Sequence, residues 1–460
     1  MNPTPSIVWL RDDLRIADNP ALDAAVSRGG PVVVLYLLDD ESPGIRPLGS
    51  ASRWWLHHSL TALQDALHEL GATLTLRRGS ALTELPALIE QSGAGAVYWN
   101  RRYGAARDID ARLKTQFAQA GLEVASFQGS LLFEPWTIRT GSGTPFKVFT
   151  PFWRACLASG EPREPLDAPT ALAGFAGADA PASDELDDWQ LLPPRPGWAE
   201  GLRETWTPGE AGAHERLDAF ADEHLGEYHR RDEPALPATS MLSPHLRFGE
   251  ISPFQVWHRM QRDLDAAARK NRAKFLSEIG WREFSYTILF HFPEIGSKNF
   301  RADFDAFPWN RPVPEILQRW QRGETGIPLV DAGMRQLWHI GYMHNRVRMI
   351  TASFLTKNLL IDWREGEAWF WDCLVDADEA NNSASWQWVA GSGADAAPYF
   401  RVFNPELQAK KFDGHGVYVN RWVPEAGTPD YPEPMVDLKQ SRQEALAAYD
   451  VVKAAAAQRS

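Results

Sequence analysis

The sequence predicts a doubly wound parallel α/β domain, followed by an all-α domain and joined to it by a long connection. Its 460 residues exceed what one hydrophobic core usually organises. Strand-like apolar runs alternate with helical patterns over roughly the first 130 residues, as in parallel α/β sheets. From Glu210 onward the pattern is helical, with almost no strand signal. We place the α/β domain at residues 1–134, the connection at 135–205 and the helical domain at 206–460.

The strands of the first domain are predicted from short apolar runs between helical segments. The run PVVVLYLL, from Pro31 to Leu38, fits a strand buried on both faces. We predict strands at 6–10, 31–38, 73–77, 96–99 and 123–127, a helix beginning at Pro20, and helices at 51–70, 82–91 and 108–120. No GxGxxG follows the first strand, so a dinucleotide site is not expected there.

Two later segments differ from the rest of the chain in composition. Ser159 to Gly201 is rich in Ala, Pro, Gly and Asp, and therefore predicts a long surface connection. The Ala-rich residues after about Gln440 predict a terminal helix or a frayed tail.

Charge and cysteine content limit the partners and the compartment. The formal net charge of −13 disfavours a nucleic acid partner in general, but a local basic face can still bind phosphate. The alternative is that such charges are ordinary solvated side chains. Two cysteines make no disulfide framework and no apolar run could cross a bilayer, so we expect a reducing cytoplasm. Candidates for the basic face are Arg346, Arg401, Lys410, Lys411 and Arg421.

The segment from Gly341 to Asn358 combines helical apolar spacing with charged residues. Asn345, Arg346 and Arg348 interrupt the apolar run. Polar groups inside such a helix are costly unless partners satisfy them. The segment therefore calls for acceptors elsewhere in the chain.

A short acidic segment further along could supply those acceptors. It contains Asp376 and Asp378, and is followed by Asn382 and by the tryptophans Trp386 and Trp388. Buried arginine, paired aspartates, asparagine and two tryptophans together suggest a polar pocket for a large flat ligand.

These segments closely resemble the flavin-binding core of the DNA photolyase and cryptochrome family. The matching segments are TGIPLVDAGMRQL, MHNRVRMITASFL, LLIDWREGE, LVDADEANN, SWQW and DAAPYFRVFNP, and WLRDDLRIADNPAL resembles the opening of the family's antenna domain. The resemblance implies a monomeric photolyase for cyclobutane pyrimidine dimers in DNA, similar to the bacterial enzymes. In such enzymes photoexcited reduced FAD donates an electron to the flipped-out lesion. The alternative is a blue-light receptor of cryptochrome type.

The resemblance also implies roles for individual residues. The positions implied for FAD are Tyr228, Thr239, Ser240, Met241, Leu242, Ser243, Arg282, Asn345, Arg348, Asp376, Asp378 and Asn382. Those implied for the lesion cavity are Glu278, Trp281, Asn345, Met349 and Trp388. The electron relay is implied to run from the flavin outward through Trp386, Trp363 and Trp309. The DNA contacts are expected from Arg346, Arg401 and Lys411.

The segment ASRWWLHHSL, residues 51–60, resembles a helix of class III photolyases and plant cryptochromes. In such photolyases this region helps to hold a methenyltetrahydrofolate antenna, so Arg53, Trp54 and His57 are candidate contacts. The alternative is that its tryptophans form interdomain core. The Asn-Glu pair that binds folate in the commonest bacterial photolyases is absent near RRYGAARD, residues 101–108. A deazaflavin, a flavin mononucleotide or no antenna remain alternatives to methenyltetrahydrofolate, our first choice.

Overall fold

The N-terminal domain is a five-stranded parallel sheet. In a computed structural model of the chain, which describes residues 3–175, 180–193, 196–261, 265–396 and 400–459, the strand order is β3-β2-β1-β4-β5. The strands are β1 (Ser6–Leu10), β2 (Val32–Leu38), β3 (Leu74–Arg78), β4 (Ala96–Asn100) and β5 (Glu123–Phe127). Every residue of β1, β2 and β4 is buried, as the continuous apolar runs predict.

Helices cover both faces of the sheet. They are α1 (Pro20–Arg28), α2 (Ser50–Glu69), α3 (Ala81–Ser92) and α4 (Ala106–Gln119). Because successive strand residues point to opposite faces, Val8 and Val34 belong to the core beside α1 and α2. Ile7 and Val33 belong to the core beside α3 and α4. The doubly wound prediction is therefore confirmed.

The second domain is helical, and no strand occurs after β5 in the described ranges. Its helices are α5 (Phe149–Ala158), α6 (Glu200–Thr205), α7 (Glu210–Ala219), α8 (Ser243–Phe248), α9 (Pro253–Arg259), α10 (Ala266–His291), α11 (Pro314–Arg322), α12 (Pro328–Ile340), α13 (Asn345–Ser353), α14 (Trp363–Cys373), α15 (Glu379–Ala390), α16 (Pro405–Phe412), α17 (Val417–Trp422) and α18 (Leu438–Arg459). The C-terminal helix is docked, because Ala445, Ala448 and Val452 are buried.

The structure departs from the sequence prediction in the connection and in α13. The prediction of a surface connection is wrong in part, because Leu172, Leu186 and Trp189 are buried in the core beside α2. Helix α13 is shorter than its apolar pattern. Gly341, at φ 65°, ends α12, and a π-helical turn replaces the α-helix at Phe354–Asn358. The boundaries at residues 134 and 205 stay a prediction.

Polar contacts join the two domains. The Trp55 indole in α2 donates to Glu250 at 2.9 Å, and Arg247 forms a 2.5 Å ion pair with Asp12. Others join Ser50 to Asp372, Ser52 to the Leu374 carbonyl, Trp371 to the Pro47 carbonyl and Arg46 to Glu367. Both cysteines are free and buried. Among the helices described, none is long and apolar enough to span a membrane.

Candidate functional site

An ion pair between a partly exposed arginine and a buried aspartate lies in the helical domain. The Arg348 guanidinium contacts both carboxylate oxygens of Asp376, at 3.1 and 2.8 Å. Burial lowers the pKa of the Arg348 guanidinium, but the neighbouring Asp376 carboxylate raises it by more, so the net shift is upward. The Ser243 hydroxyl also donates to Asp376, at 2.6 Å. The predicted pairing of Arg348 with Asp376 is confirmed, and it joins α13, the start of α8 and the segment before α15.

Asp378 caps helix α15. Its carboxylate accepts from the amides of Ala380 and Asn381 at 2.9 and 2.7 Å, as N-cap residues do. Burial raises the pKa of Asp378, although these hydrogen bonds oppose the shift. One turn later, Asn382 directs its side-chain nitrogen to Glu367 at 2.8 Å. Its Oδ1 has no partner among the described residues, so it is free to accept a hydrogen bond.

The segment Thr239 to Ser243 brings several hydroxyls to the N-terminus of α8. The Ser240 hydroxyl accepts from the Leu242 amide at 3.4 Å. Met241 has φ 50°, a left-handed conformation that costs a non-glycine residue on the order of 1 kcal/mol. Tyr228 is buried against Phe220 and Phe275. Hydroxyls, a guanidinium–carboxylate pair and a free amide oxygen suit a ligand that carries both phosphates and a polar ring edge.

The residues predicted for the lesion lie on α10, α13 and, for Trp388, α15. Glu278 pairs with Lys274 at 2.6 Å and lies 3.9 Å from Arg231, with its side chain 36% exposed. The Trp281 ring stacks on Phe149, with centroids 3.9 Å apart. The Arg282 guanidinium donates to the Ser130 carbonyl at 2.7 Å. Met349 lies 3.8 Å from the Arg346 guanidinium. Their roles toward a lesion stay predictions.

Of the tryptophans predicted for the relay, Trp386 and Trp363 lie on neighbouring helices and Trp309 lies in the segment before α11. The Trp386 ring on α15 fills the space over Gly366 of α14, where a Cβ would overlap it. Trp363 begins α14, is fully buried, and donates to Asn299 at 2.9 Å. Trp309 lies against Phe307 at 4.1 Å between centroids. Trp386 and Trp363 are therefore held on two helices that pack directly together.

The basic residues predicted to contact DNA differ in their surroundings. Arg401 lies over the Trp388 ring at 5.1 Å. Arg346 instead forms a 3.0 Å ion pair with Asp232, so part of its charge is neutralised. Lys411 lies 4.9 Å from the Phe412 ring. Residues 397–399, within the segment DAAPYFRVFNP, are outside the described ranges.

Helix α2 carries buried polar atoms that have no hydrogen-bond partner among the described residues: Trp54 Nε1, His57 Nδ1 and His58 Nε2. Trp198 Nε1 of the connection is in the same state. Burial lowers the pKa of His57, and lowers that of His58 to about 4. Arg53 is partly exposed. Trp54 also belongs to the hydrophobic core, so the core interpretation holds for its ring. His58 and Trp198 are additions to the predicted set, and nothing in the sequence distinguished them from core aromatics.

A cleft of about 1150 Å³, including its part open to solvent, lies at the carboxyl ends of the strands. Ligands of parallel α/β sheets commonly bind in this position. Charged residues of both signs line it, among them Arg11, Asp12, Asp39, Arg102, Arg247 and Glu379. Of the residues predicted from sequence, Arg282 and Asp378 line this cleft. Its other lining residues were not predicted, because strand order is not readable from sequence.

This architecture, a five-stranded parallel α/β domain followed by a helical domain that contains the Arg348–Asp376 pair, is that of the photolyase class of proteins. Residues 6–170 match the DNA photolyase family and residues 275–429 match the FAD binding domain of DNA photolyase. The chain is 51% identical to the deoxyribodipyrimidine photo-lyase of Agrobacterium fabrum, over 98% of this chain and 99% of that one. It therefore belongs to the DNA photolyase family, and its C-terminal half contains the family's FAD-binding domain.

More distant relatives include both photolyases and cryptochromes. The deoxyribodipyrimidine photo-lyase of Halobacterium salinarum is 38% identical over 96% of this chain and 98% of its own. Cryptochrome-1 of Arabidopsis thaliana is 37% identical over 91% of this chain but only 63% of its own. Among solved structures, a class III photolyase from Agrobacterium tumefaciens superposes with a TM-score of 0.93, at 50% identity and 98% coverage of both chains. An archaeal photolyase from Sulfolobus tokodaii gives 0.82 at 28% identity, covering 97% of this chain and 100% of that one.

Proposed function

We propose that this protein is a deoxyribodipyrimidine photo-lyase, which uses light to split cyclobutane pyrimidine dimers in DNA. The observation that carries the proposal is its end-to-end similarity to the Agrobacterium fabrum enzyme. When bound, fully reduced FAD supplies the electron, after absorbing light, that opens the ring of the dimer. The protein itself binds and orients the two reactants and excludes water between them.

The FAD would be held by the groups around the central ion pair. Arg348, Asp376 and Asp378 would border the isoalloxazine ring, and Asn382 would lie beside its N5. The hydroxyls of Thr239 and Ser240 would donate hydrogen bonds to the phosphates, with Ser243 and Tyr228 nearby. Two observations support this assignment: Asn382 Oδ1 has no partner among the described residues, and Arg348 pairs with the buried Asp376 carboxylate.

The lesion would enter from the side of α10 and α13 by flipping out of the duplex. Trp281 and Trp388 would stack on it, Glu278 would contact its bases, and Met349 and Asn345 would line the cavity. Arg401 and Lys411 would contact backbone phosphates, which makes affinity dependent on salt. Trp386, Trp363 and Trp309 would carry electrons inward when oxidised flavin must be reduced.

A blue-light receptor of cryptochrome type is the second candidate, favoured by the similarity to Arabidopsis cryptochrome-1. The decisive experiment illuminates purified protein, with its FAD fully reduced, on DNA carrying either cyclobutane dimers or (6-4) lesions. We expect light-dependent loss of cyclobutane dimers and none in the dark. Failure to repair either lesion, with the reduced state verified by absorbance, would reject the enzyme and favour the receptor.

We propose further that a second chromophore, methenyltetrahydrofolate, binds along α2 beneath the connection. Trp54 Nε1 and Trp198 Nε1, which have no acceptor among the described residues, support this site, because buried donors without acceptors are costly. His57 Nδ1 is a third buried polar atom of this kind. The strand-end cleft is the competing site, suited to a deazaflavin or a flavin mononucleotide.

Reconstitution distinguishes the two sites. Protein purified without its second chromophore is titrated with methenyltetrahydrofolate, and the new absorbance band is compared in wild type, Trp54→Ala and the cleft variant Arg102→Ala. Loss of the band in Trp54→Ala alone is expected. Loss in Arg102→Ala alone would move the site to the cleft. A monomeric state and a cytoplasmic location stay predictions, the first of them testable by light scattering.

A further inference from the structure

One stripe of helix α10 carries three side chains at the proposed lesion cavity. Lys274, Glu278 and Trp281 follow one another at spacings of four and three residues, which places them on one face of the helix. Glu278 and Trp281 were predicted from sequence as lesion contacts, whereas Lys274 was not. The neighbouring Phe275 and Ile279 are buried in the hydrophobic core, so this stripe lies at the boundary between core and solvent.

Glu278 is the shared acceptor of two cations. The Lys274 ammonium lies 2.6 Å from Glu278 Oε1, and Arg231 Nε lies 3.9 Å from the same oxygen. The Lys274 ammonium also contacts the Ser277 hydroxyl, at 3.3 Å. The side chains of Lys274 and Glu278 are 40% and 36% exposed, so their ion pair lies at the surface. The acid proposed to recognise the lesion is therefore already engaged by the protein's own cations.

The ion pair between Lys274 and Glu278 is weak enough to be exchanged. An exposed ion pair between residues four apart on a helix shifts an equilibrium by only about twofold, because water screens both charges. The order of the two residues weakens the pair further, since Lys274 precedes Glu278 and the acid-first order is the more favourable one. A partner that offers Glu278 a better contact can therefore displace Lys274.

A lesion flipped into the cavity would be such a partner. Extruding a base from the duplex costs least when that base is damaged, so a dimer reaches Glu278 more readily than an undamaged base does. Once the carboxylate turns to the lesion, the Lys274 ammonium loses its partner. Because the lesion stays attached to the duplex on both sides, its phosphates remain at the mouth of the cavity. Phosphate oxygens are then the acceptors available to the exposed ammonium.

We propose that Lys274 is a specificity-determining residue, which Glu278 holds until a lesion takes that carboxylate and which then contacts a phosphate of the DNA backbone. The inference rests on the proposed function, because it takes Glu278 to contact the lesion. Undamaged DNA leaves the ion pair intact, so it gains no phosphate contact from Lys274. Recognition of the lesion is in this way coupled to binding of the backbone, and discrimination exceeds what the Glu278 contact alone supplies.

The test measures binding of the FAD-loaded protein to duplex DNA in the dark, so that dimers stay intact. Fluorescence anisotropy gives the affinity for dimer-containing and undamaged duplexes of one sequence at several salt concentrations. Each phosphate contact contributes about −0.9 to the slope of log K against log salt. We expect Lys274→Ala to make the slope for dimer-containing DNA shallower by about 0.9 and to leave the slope for undamaged DNA unchanged.

Glu278→Gln tests the exchange from the other side. Glutamine cannot hold the ammonium in an ion pair, so Lys274 is free to bind phosphate whether or not a lesion is present. We expect the slope for undamaged DNA to steepen by about 0.9 and the preference for dimer-containing DNA to fall. Adding Lys274→Ala to this variant should return the slope for undamaged DNA to the wild-type value.

Lys453→Ala is the matched control. Lys453 lies on α18 and pairs with Asp450 at the same distance of 2.6 Å, with its side chain 60% exposed. Arg78→Ala is a second control, from β3 of the α/β domain, where Arg78 lies 3.6 Å from Asp40. Neither change should alter the slope for either duplex.

Two results for Lys274→Ala would overturn the inference. An equal loss of slope on both duplexes would show that Lys274 contacts phosphate without any exchange, and no loss on either would show that it stays with Glu278. Failure of the proposed function is a separate outcome. If the wild type binds dimer-containing DNA no more tightly than undamaged DNA, the enzyme assignment fails. A preference for the dimer, with slopes unaffected by Lys274→Ala, rejects the exchange alone.

Discussion

Glu283 is a fully buried acid on the same helix as the proposed lesion contacts. Burial raises the pKa of its carboxyl from 4.5 to about 7, an effect that Arg282 and the amides of Phe133 and Leu132 only partly oppose. The carboxylate accepts from the Phe133 amide at 3.1 Å, so it ties α10 to the segment that leaves the α/β domain. Its protonation state therefore matters for the stability of this junction.

We predict that Glu283 makes the protein less stable as pH rises from about 4.5 to about 7. The Glu283 carboxyl binds its proton more tightly in the folded state than in the unfolded state. Its contribution to stability is therefore complete below the pKa of the unfolded state and is lost as pH rises through the pKa of the folded state. The free energy of unfolding should fall by on the order of 3 kcal/mol across this range, at about 1.4 kcal/mol per pKa unit. Urea unfolding of wild type and Glu283→Gln across this range measures it. Parallel pH dependences in the two proteins would contradict it.

Glu278 provides a second prediction at this scale, concerning activity. Glu278→Gln preserves the side-chain volume and removes the ionisable group, so a hydrogen bond to the lesion loses on the order of 1.5 kcal/mol, or about tenfold in repair rate. FAD content should stay unchanged, since Glu278 contacts Lys274 and Arg231 rather than the proposed flavin groups. Single-turnover repair per absorbed photon measures the change. Unaltered repair would remove Glu278 from the lesion site.

Packing between α14 and α15 sets the position of the innermost relay tryptophan. Gly366 leaves the room that the Trp386 ring occupies, so Gly366→Ala should displace the ring. Overpacking costs about 1–3 kcal/mol, although alanine recovers about 1 kcal/mol of helix propensity.

We predict that Gly366→Ala slows photoreduction of oxidised FAD, in the direction of Trp386→Phe, which should abolish it. Repair by flavin that is already reduced should persist in both variants. The measurement is the rate of FAD reduction under blue light with an external reductant. Gly226→Ala is the control, because a Cβ there meets nothing within 4 Å. Equal rates of FAD photoreduction in wild type, Gly366→Ala and Gly226→Ala would show that the position of the Trp386 ring is unimportant.

The sequence predicted elements well where local pattern and tertiary packing agree. The buried run of β2 and the Arg348–Asp376 pair are two such cases. It failed where distant packing decides the outcome. Leu186 and Trp189 lie in a Pro- and Ala-rich segment, but they pack into the hydrophobic core beside α2. Glu367, which accepts a hydrogen bond from the Asn382 side chain, was not predicted, because its partners Arg46 and Asn382 lie far apart in the sequence.

Across the whole molecule, an acidic protein is proposed to bind an acidic polymer. Arg401→Ala should lower the affinity for dimer-containing DNA and reduce the slope of log K against log salt by about 1, as expected when one phosphate contact is lost. Arg346→Ala should have a smaller effect, because its ion pair with Asp232 must be broken first. Fluorescence anisotropy at several salt concentrations measures both, with Arg78→Ala as control. An unchanged slope for Arg401→Ala would place the phosphate contact elsewhere.

The paired contacts between the domains limit how such proteins can diversify. Trp55 with Glu250, Arg247 with Asp12 and Arg46 with Glu367 each divide one polar interaction between two domains. A chimaera that takes its α/β domain from a distant relative would keep only the helical-domain residue of each pair, and that residue would lack its partner. We expect such grafts to misfold unless both halves are transferred together. New light-harvesting properties would then arise by substitution within the α/β domain, and not by wholesale shuffling of modules.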